Sequence, residues 1–309
     1  MIKYYYKSLR TTRLSEAADY KRGAWTYVEA PSEREIQYLV KKFNLEESIL
    51  TDALDENEMP RLEKDGDVSY IFVRFALKDQ DGDLMTMPLL FVFGEEILMT
   101  VSLVRLPALD AFLRGKVEFA TTQRAKLVLQ ILQQISEHYD GYIASTNKQI
   151  KQIRSRLRGH AIGNQDFIDF VTIEDELNEF LSALVPTNAT LRRLLLGRYM
   201  PLFEEDQDIV EDLLLNNEQS MEACNSNMKS IANIREAYTS ISSNNLNRTM
   251  KLLTAATVFI TLPNVIFGMY GMNIPLPFQE EPWVLAAVVS FTVLLILAAT
   301  TIARRKKIF

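Results

Sequence analysis

The sequence predicts an α/β N-terminal cytosolic domain, followed by a long α-helical stalk and two C-terminal transmembrane helices. Segments with strand and helix signals alternate up to about residue 103. Beyond that point apolar residues recur at intervals of three, four or seven, which is typical of long amphipathic helices. From residue 252 onward the chain holds two uncharged apolar runs. A soluble domain joined to a membrane-spanning part accounts for all three observations.

Residues 1–103 form the predicted α/β domain. Ser32 and Glu35 have the spacing of a capping box, which opens a helix that we expect to run through Phe43. A second helix is predicted over residues 46–55. The segments rich in β-branched and aromatic residues, which predict strands, are 23–28, 68–73, 85–93 and 97–101.

Residues 104–205 form a predicted helical hairpin. Apolar periodicity from Ala125 to Leu157 indicates one long helix, and Gly159 and Gly163 fit the tip of the hairpin. The returning helix is predicted from Asp166 to Leu184, with its end near Pro186. We interpret the charged residues near the tip as solvated, although a divalent-ion role for the acids is the alternative; they are Arg154, Arg156, Arg158, Asp166, Asp169, Glu174 and Asp175.

Residues 206–251 form the predicted stalk, which continues without a helix breaker into the membrane. Two interleaved seven-residue series run along it: Leu214, Met221, Met228 and Cys224, Ile231, Tyr238. Such a seam is typical of helices that associate with one another. Stalk and first span together predict a helix on the order of 60 residues, which a single chain would not bury alone. The sequence therefore predicts a homo-oligomer.

The two predicted transmembrane helices cover residues 252–273 and 282–303, with a short loop, 274–281, between them. Each apolar run is long enough to cross a hydrocarbon core of about 30 Å. The loop ends in Glu280 and Glu281, whereas the tail, 304–309, begins with four basic residues. The positive-inside rule places the tail in the cytosol and the loop outside. Because the N-terminus also lacks an apolar signal segment, we expect a multi-pass protein of the cell membrane with both termini cytoplasmic.

Composition and motifs exclude several classes of function. The formal net charge of −6 argues against a nucleic-acid partner. The single cysteine, Cys224, allows no intrachain disulfide and fits a reducing compartment. The sequence contains no P-loop, His-Glu-x-x-His, Gly-x-Ser-x-Gly or glycine-rich dinucleotide motif, so we do not expect an enzyme. A membrane-anchored scaffold remains an alternative, but it leaves the pattern of the first span unexplained.

One face of the first span is polar or small along its whole length. Its residues follow one another at alternating spacings of three and four, which places them on one side of a helix: Asn247, Met250, Thr254, Thr257, Thr261, Asn264, Gly268 and Gly271. We refer to these eight residues as the polar stripe. Such a stripe suits the wall of a water-filled path, although ordinary packing of membrane helices also uses Gly and Thr. The stripe contains no charge, so it is suited to hold a hydrated divalent cation through amide and hydroxyl oxygens.

The end of the first span, Tyr270-Gly271-Met272-Asn273, resembles the Gly-Met-Asn signature of CorA-type magnesium transporters. Its position matters, because the signature here ends the first of two C-terminal spans, after a long helix and before a basic tail. The layout of the whole chain is similar to that family. The resemblance implies passive uptake of Mg²⁺ driven by the membrane potential, through a central pore in a homopentamer embedded in the lipid bilayer.

The resemblance also implies roles for particular residues. It makes Tyr270, Gly271, Met272 and Asn273 the selectivity filter, with Asn273 as the selectivity ring. It adds Leu253 to the pore-lining residues Asn247, Met250, Thr254, Thr257, Thr261, Asn264 and Gly268. It further implies a regulatory Mg²⁺ site between subunits, made by Asp52, eight residues before the Pro60-Arg61-Leu62-Glu63 stretch, and by Asp212 on the stalk.

The sequence departs from the family at two places. Thr261 stands where the family has a methionine at the constriction, and Pro263 lies one position later than the family's proline. The loop also lacks the family's Met-Pro-Glu-Leu motif. A transporter of Zn²⁺ or of Co²⁺ and Ni²⁺ on the same fold is therefore the alternative. Against it, the two histidines, His138 and His160, lie in the soluble region, where they do not face the path.

Overall fold

The structure is a computed structural model that describes residues 1–11, 13–79, 82–158, 164–272 and 281–305. The described part divides into two compact units, Met1–Ala232 and Asn233–Phe309. The first unit combines a β-sheet with helices, and the second unit is helical over its described residues.

One seven-stranded sheet forms the centre of the first unit. Its strands, in chain order, are β1 (Ile2–Tyr6), β2 (Ser15–Ala17), β3 (Trp25–Glu29), β4 (Arg61–Asp65), β5 (Val68–Lys78), β6 (Leu84–Phe93) and β7 (Leu98–Ser102). Their order in space is β2-β1-β3-β7-β6-β5-β4. All neighbours are antiparallel except β3 and β7, which run parallel and are paired from Trp25–Leu98 to Glu29–Ser102.

Seven helices complete the described chain. They are α1 (Glu33–Phe43), α2 (Glu47–Asp52), α3 (Leu109–Leu113), α4 (Arg124–Arg158), α5 (Asn164–Leu194), α6 (Glu204–Tyr270) and α7 (Val284–Arg305). The predicted capping box of α1 is confirmed, since the Ser32 hydroxyl accepts from the Glu35 amide while the Glu35 carboxylate accepts from the Ser32 amide. The left-handed residue Asn44 then ends α1, as is usual at a helix C-terminus.

The sheet is covered on both faces. On one face, Val28, Tyr70 and Leu90 pack with Leu39 of α1 and Leu50 of α2 in a buried cluster. The intervening strand residues, such as Ile71 and Phe91, are also buried, and α4 and α5 lie against β5 and β6. Alternate residues of the central strands therefore enter two hydrophobic layers, which explains why these strands are apolar almost throughout.

Some elements of the first unit differ from the prediction. The strands predicted at 68–73, 85–93 and 97–101 are confirmed as β5, β6 and β7. The sequence prediction did not identify β1, β2, β4 or α3. Strand β4 has the sequence Arg-Leu-Glu-Lys-Asp and lies at the edge of the sheet, where charged side chains face water and hide the alternation expected of a strand.

The hairpin of α4 and α5 corrects two predictions. Helix α5 runs through Pro186 to Leu194, so the predicted end near Pro186 is wrong. The cost of the missing N–H is offset by packing on both sides of the proline, where Leu184, Leu191 and Leu194 are buried. Near the tip, Asp166 is buried rather than solvated, and it forms an ion pair of 2.7 Å with Arg156.

Two helices of the second unit are long and apolar enough to cross a membrane. They are the last part of α6 and α7, whose candidate span covers Val284–Ile302. The predicted loop 274–281 lies outside the described residues apart from Glu281, and so does the tail from residue 306 onward.

Candidate functional site

The polar stripe lies on the solvent-exposed side of α6 in the isolated chain. All eight of its residues, Asn247 to Gly271, are exposed. The hydroxyl of Thr254 donates to the Met250 carbonyl at 2.8 Å, and that of Thr257 donates to the Leu253 carbonyl at 2.9 Å. Because these protons are directed back to the helix, the two hydroxyls present their oxygen lone pairs outward. This part of the stripe is therefore a surface of hydrogen-bond acceptors.

The opposite side of α6 is the side that is shielded within the second unit. Ala255, Phe259, Leu262 and Ile266 are partly shielded, and at about 100° per residue they point roughly away from the stripe. On α7 the shielded residues also form one face, which includes Val284 and Thr292. Two helices packed against each other give this pattern, so the chain itself leaves most of the stripe uncovered.

A groove of about 620 Å³ lies between α6 and α7 at the start of the first span. Its α7 wall is Ala299 and Ile302, and its α6 wall includes Met250, Val258 and Phe259. Asn247, Lys251 and Thr254 also line it. Three of the stripe residues therefore border an apolar space that a single chain does not fill.

Only part of the predicted selectivity filter is described. Gly271 and Met272 follow α6 directly, and both are exposed. The Gly271 amide donates to the Phe267 carbonyl at 3.0 Å, so the glycine continues the hydrogen bonding of the helix end. Asn273 and the side chain of Tyr270 lie outside the described residues.

Asp52 lies at the C-terminal end of α2, in contact with a guanidinium group. Its Oδ2 accepts from Arg61 Nη2 at 2.7 Å, while Arg61 Nε donates to Glu63 Oε1 at 2.5 Å and Nη1 contacts Glu58 Oε1. The Arg61 guanidinium also stands over the Phe72 ring, 4.2 Å from its centroid. Side-chain exposure is 46% for Asp52 and 15% for Glu58, so Asp52 is the more accessible of these two acids.

Asp212 lies two turns after the start of α6 and is exposed. It borders a cavity of about 310 Å³, together with Glu137 and Ser136 of α4 and Asn216 of α6. Asp52 does not line this cavity. Within the described part of one chain, no group of three or more His, Cys, Asp or Glu residues is placed to hold a metal ion.

Sequence reasoning missed a polar contact between α4 and α6, one helical turn after Asp212. Asp140 Oδ2 accepts from the Asn216 amide at 2.9 Å, and Asp140 Oδ1 accepts from the Ser220 hydroxyl at 2.5 Å. The Asn216 amide also donates to Ser136 Oγ at 3.0 Å. No local pattern in the sequence indicated this contact, because it joins residues of two separate helices.

Sequence reasoning also missed Arg74, a buried arginine inside β5. Its guanidinium donates to the Glu56 and Glu58 carbonyls and to the Thr86 carbonyl, each at 2.8 Å, and reaches Glu179 Oε1 of α5 at 3.4 Å. The segment between α2 and β4 is thereby tied to the sheet and to α5. A lone arginine in an apolar strand of eleven residues was the available signal.

The seam predicted on the stalk is only partly available to another chain. Cys224 and Ile231 are completely buried in the first unit, so these two members of the second series pack within the chain rather than between chains. Leu214, Met221 and Met228 remain partly exposed. The first series and Tyr238, which is also partly exposed, can thus face a neighbour.

In the described part of the chain, histidine and cysteine side chains do not form a cluster that could bind a soft metal ion. His138 is half-buried on α4, where burial lowers the pKa of its imidazole. Burial likewise raises the pKa of the Cys224 thiol to about 12, which disfavours the thiolate that binds metals. His160 lies outside the described residues.

Three comparisons, with a family model, with protein sequences and with solved structures, all match this chain to CorA proteins. Residues 20–305 match the family described as CorA-like Mg²⁺ transporter protein. The chain is 24% identical over 295 residues to the cobalt/magnesium transport protein CorA of Methanocaldococcus jannaschii, covering 92% of this chain and 90% of that relative. It is 25% identical over 266 residues to the magnesium transport protein CorA of Wolinella succinogenes, covering 81% and 79%.

Among solved structures, the chain is similar to the complete CorA magnesium transporter of Methanocaldococcus jannaschii. The TM-score is 0.86 at 22% identity, and the match covers 99% of this chain and 98% of that one. This likeness confirms the predicted fold, an α/β domain with a long helix and two C-terminal membrane helices.

Proposed function

The chain belongs to the CorA-like Mg²⁺ transporter family, and we propose that it is a membrane transporter that carries divalent cations, with Mg²⁺ as the main substrate. Family membership over residues 20–305 confirms the prediction of a transporter rather than an enzyme. Both relatives described above are transport proteins for magnesium, and one of them is also named for cobalt.

The polar stripe is the observation on which this proposal depends most. Mg²⁺ sheds its water reluctantly, and the water hydrogens of the hydrated ion point outward. Outward-facing acceptors, as at Thr254 and Thr257, match those hydrogens without any charged group. A carboxylate ring would hold the ion more strongly and slow its release. The stripe thus suits the passage of a hydrated divalent cation.

The transport we propose is passive. The interior of a cell is electrically negative, so a divalent ion gains about 4.6 kcal/mol on entering at 100 mV. Four consecutive basic residues, Arg304 to Lys307, begin in the last turn of α7 and favour the cytoplasmic side under the positive-inside rule. Both termini are then cytoplasmic, and the protein lies in the cell membrane.

We place the pathway at the centre of a homo-oligomer, for which the family likeness suggests five subunits. The stripe is uncovered in the single chain, and a ring of copies would turn it toward a common axis. Leu253 and the seven residues of the stripe from Asn247 to Gly268 then line the pore. Asn273, with Tyr270, Gly271 and Met272, forms the filter at its outer end.

Asp52 and Asp212 are proposed to bind a regulatory Mg²⁺ between neighbouring subunits. Both side chains are accessible, and their oxygen ligands are of the kind that Mg²⁺ prefers. Two carboxylates brought close together repel each other, and a divalent ion between them relieves that repulsion. Bound Mg²⁺ would favour a closed ring, and falling Mg²⁺ would release the subunits toward open states.

Flux into liposomes that contain the purified full-length protein tests the transport proposal. We expect Mg²⁺ influx that rises with an inside-negative potential, and weaker flux of Co²⁺. No Mg²⁺ influx in protein that is folded and assembled would contradict the proposal. Flux of Zn²⁺, Co²⁺ or Ni²⁺ in preference to Mg²⁺ would favour the alternative transporter on the same fold.

A separate experiment tests regulation. The double variant Asp52→Asn with Asp212→Asn should remain active at internal Mg²⁺ concentrations that silence the wild type. Asp110→Asn, which changes an exposed acid paired with Arg105, serves as the matched control. Equal inhibition of wild type and double variant over the same Mg²⁺ range would show that these acids are not the sensor.

A further inference from the structure

Arg61 is a cation that the chain itself supplies to the acid proposed as a Mg²⁺ ligand. Three of its nitrogens contact three different carboxylates: Nη2 contacts Asp52, Nη1 contacts Glu58 and Nε contacts Glu63. Three negative charges therefore surround one positive charge. This small group has an excess of negative charge, and its most accessible member, Asp52, is already engaged by an internal counter-ion.

The position of Arg61 does not depend on Asp52. Its guanidinium rests on the buried Phe72 ring at 4.2 Å, and its side chain is 29% exposed. Glu58 has a side-chain exposure of 15%, and its backbone carbonyl is held by Arg74 at 2.8 Å. If Asp52 rotated away, Arg61 would still be paired with Glu58 and Glu63. Release of Asp52 would leave no buried charge unpaired.

We propose that Arg61 and Mg²⁺ compete for the carboxylate of Asp52, so that this ion pair sets the Mg²⁺ concentration at which the regulatory site fills. The inference rests on the proposed regulatory role of Asp52. One cation replaces another at the same oxygen. Mg²⁺ must therefore overcome the Asp52–Arg61 contact before it can bridge to Asp212 of another copy.

The expected effect of removing Arg61 is an increase in affinity for Mg²⁺. An ion pair between partly exposed groups stabilises weakly, so its loss should lower the half-saturating Mg²⁺ concentration by about two- to fivefold. The geometry of the contact also matters. A guanidinium binds several carboxylates at once in a fixed fork, whereas an ammonium is a point charge on a flexible stem.

The experiment compares wild type, Arg61→Gln and Arg61→Lys as full-length protein, with MgCl₂ as the only added ligand. Arg105→Gln is the matched control, because it removes an arginine from another ion pair, the one with Asp110. The first readout is the Mg²⁺ concentration that gives half of the rise in melting temperature, which reports binding. The second is the internal Mg²⁺ concentration that halves flux into liposomes.

Both readouts should move to lower Mg²⁺ in Arg61→Gln, and by a smaller factor in Arg61→Lys, while Arg105→Gln stays at the wild-type values. Arg61→Lys keeps the net charge, so its shift distinguishes a specific contact from a general charge effect. Unshifted midpoints in Arg61→Lys would overturn the inference, whatever Arg61→Gln does. Should Arg61→Gln fail to assemble, Arg61→Lys decides the question alone.

Asp52→Asn separates this inference from the regulatory proposal. If Asp52→Asn leaves Mg²⁺ inhibition unchanged, the regulatory site and the competition both fail. If Asp52→Asn relieves inhibition while both Arg61 variants keep the wild-type midpoints, the regulatory site stands and only the competition is wrong. Combining Asp52→Asn with Arg61→Gln should abolish the shift that Arg61→Gln produces alone.

Discussion

The two halves of α6 have opposite surroundings, although they belong to one helix. In the first half, up to residue 234, the side chains of Val210, Leu213, Cys224, Ile231 and Ile234 are buried against the same chain. In the second half, none of the described side chains from 235 to 269 is buried. The first half thus obtains its stability from its own chain. We propose that lipid and other copies of the chain cover the second half, which is the half to which we assign transport.

The largest expected effect concerns the far end of the second half. Asn273→Ala should reduce Mg²⁺ influx to the background of empty liposomes, since the amide that we propose as the selectivity ring is lost. Assembly should be retained, because a single polar side chain does not hold copies together. Asn225→Ala, on the exposed side of the first half, is the control and should transport normally. Normal influx through assembled Asn273→Ala protein would refute the selectivity ring.

Two isoleucine substitutions, one in each half of α6, test directly whether only the first half stabilises the first unit. Ile231→Ala removes a completely buried side chain and should lower the free energy of unfolding of the first unit by about 2–5 kcal/mol. Ile260→Ala removes a side chain that is 64% exposed and should leave that value unchanged. Urea titration followed by the fluorescence of the buried Trp25 measures both. Equal losses in the two variants would show that the halves of α6 are not independent.

A smaller effect is expected where Asp140 holds the first half of α6. Asp140→Asn places an amide opposite the Asn216 amide and should cost about 1–3 kcal/mol of stability. Adding Asn216→Asp exchanges donor and acceptor and should restore part of that loss. The coupling in this double-mutant cycle should reach about 0.5 kcal/mol or more. Additive losses in the cycle would mean that the contact contributes nothing specific.

The smallest expected effect is a pH dependence confined to the first unit. Burial raises the pKa of the Glu176 carboxyl, which accepts from the Leu84 amide at 3.3 Å. A folded-state pKa above the unfolded value means that the stability from this group is present at low pH and is lost as pH rises through the folded pKa. Glutamine does not ionise, so the Glu176→Gln variant does not lose this stability as the pH rises.

The stability of Glu176→Gln relative to wild type should therefore be greater at about pH 7 than at about pH 4. Unfolding titrations at both pH values measure the difference. A relative stability that falls with pH would contradict the assigned direction of the pKa shift.

Membrane segments and central strands could be predicted from the sequence, because each has a strong local pattern. Edge strand β4 could not be predicted, since its charged side chains face water and hide the alternation of apolar and polar residues expected of a strand. The path of α5 through Pro186 could not be predicted either, because the packing of Leu184, Leu191 and Leu194 outweighs the local cost of the proline.

The candidate site likewise has features that the sequence predicts and features that it does not. The polar stripe follows from spacing alone, because residues three and four apart share a helix face. The contacts of Asp52 with Arg61 and of Asp140 with Asn216 depend on how separate elements pack, so no local sequence pattern predicts them.

Cys224 gives the chain a built-in chemical reporter. It is the one cysteine, it is completely buried on α6, and burial raises the pKa of its thiol to about 12. Maleimides and methanethiosulfonates react with thiolates, so the native Cys224 thiol should not react with them in folded protein. New cysteines placed along the stripe can then be labelled one at a time in an otherwise unchanged chain. Labelling of Cys224 itself would signal that α6 has come away from the helices that cover it.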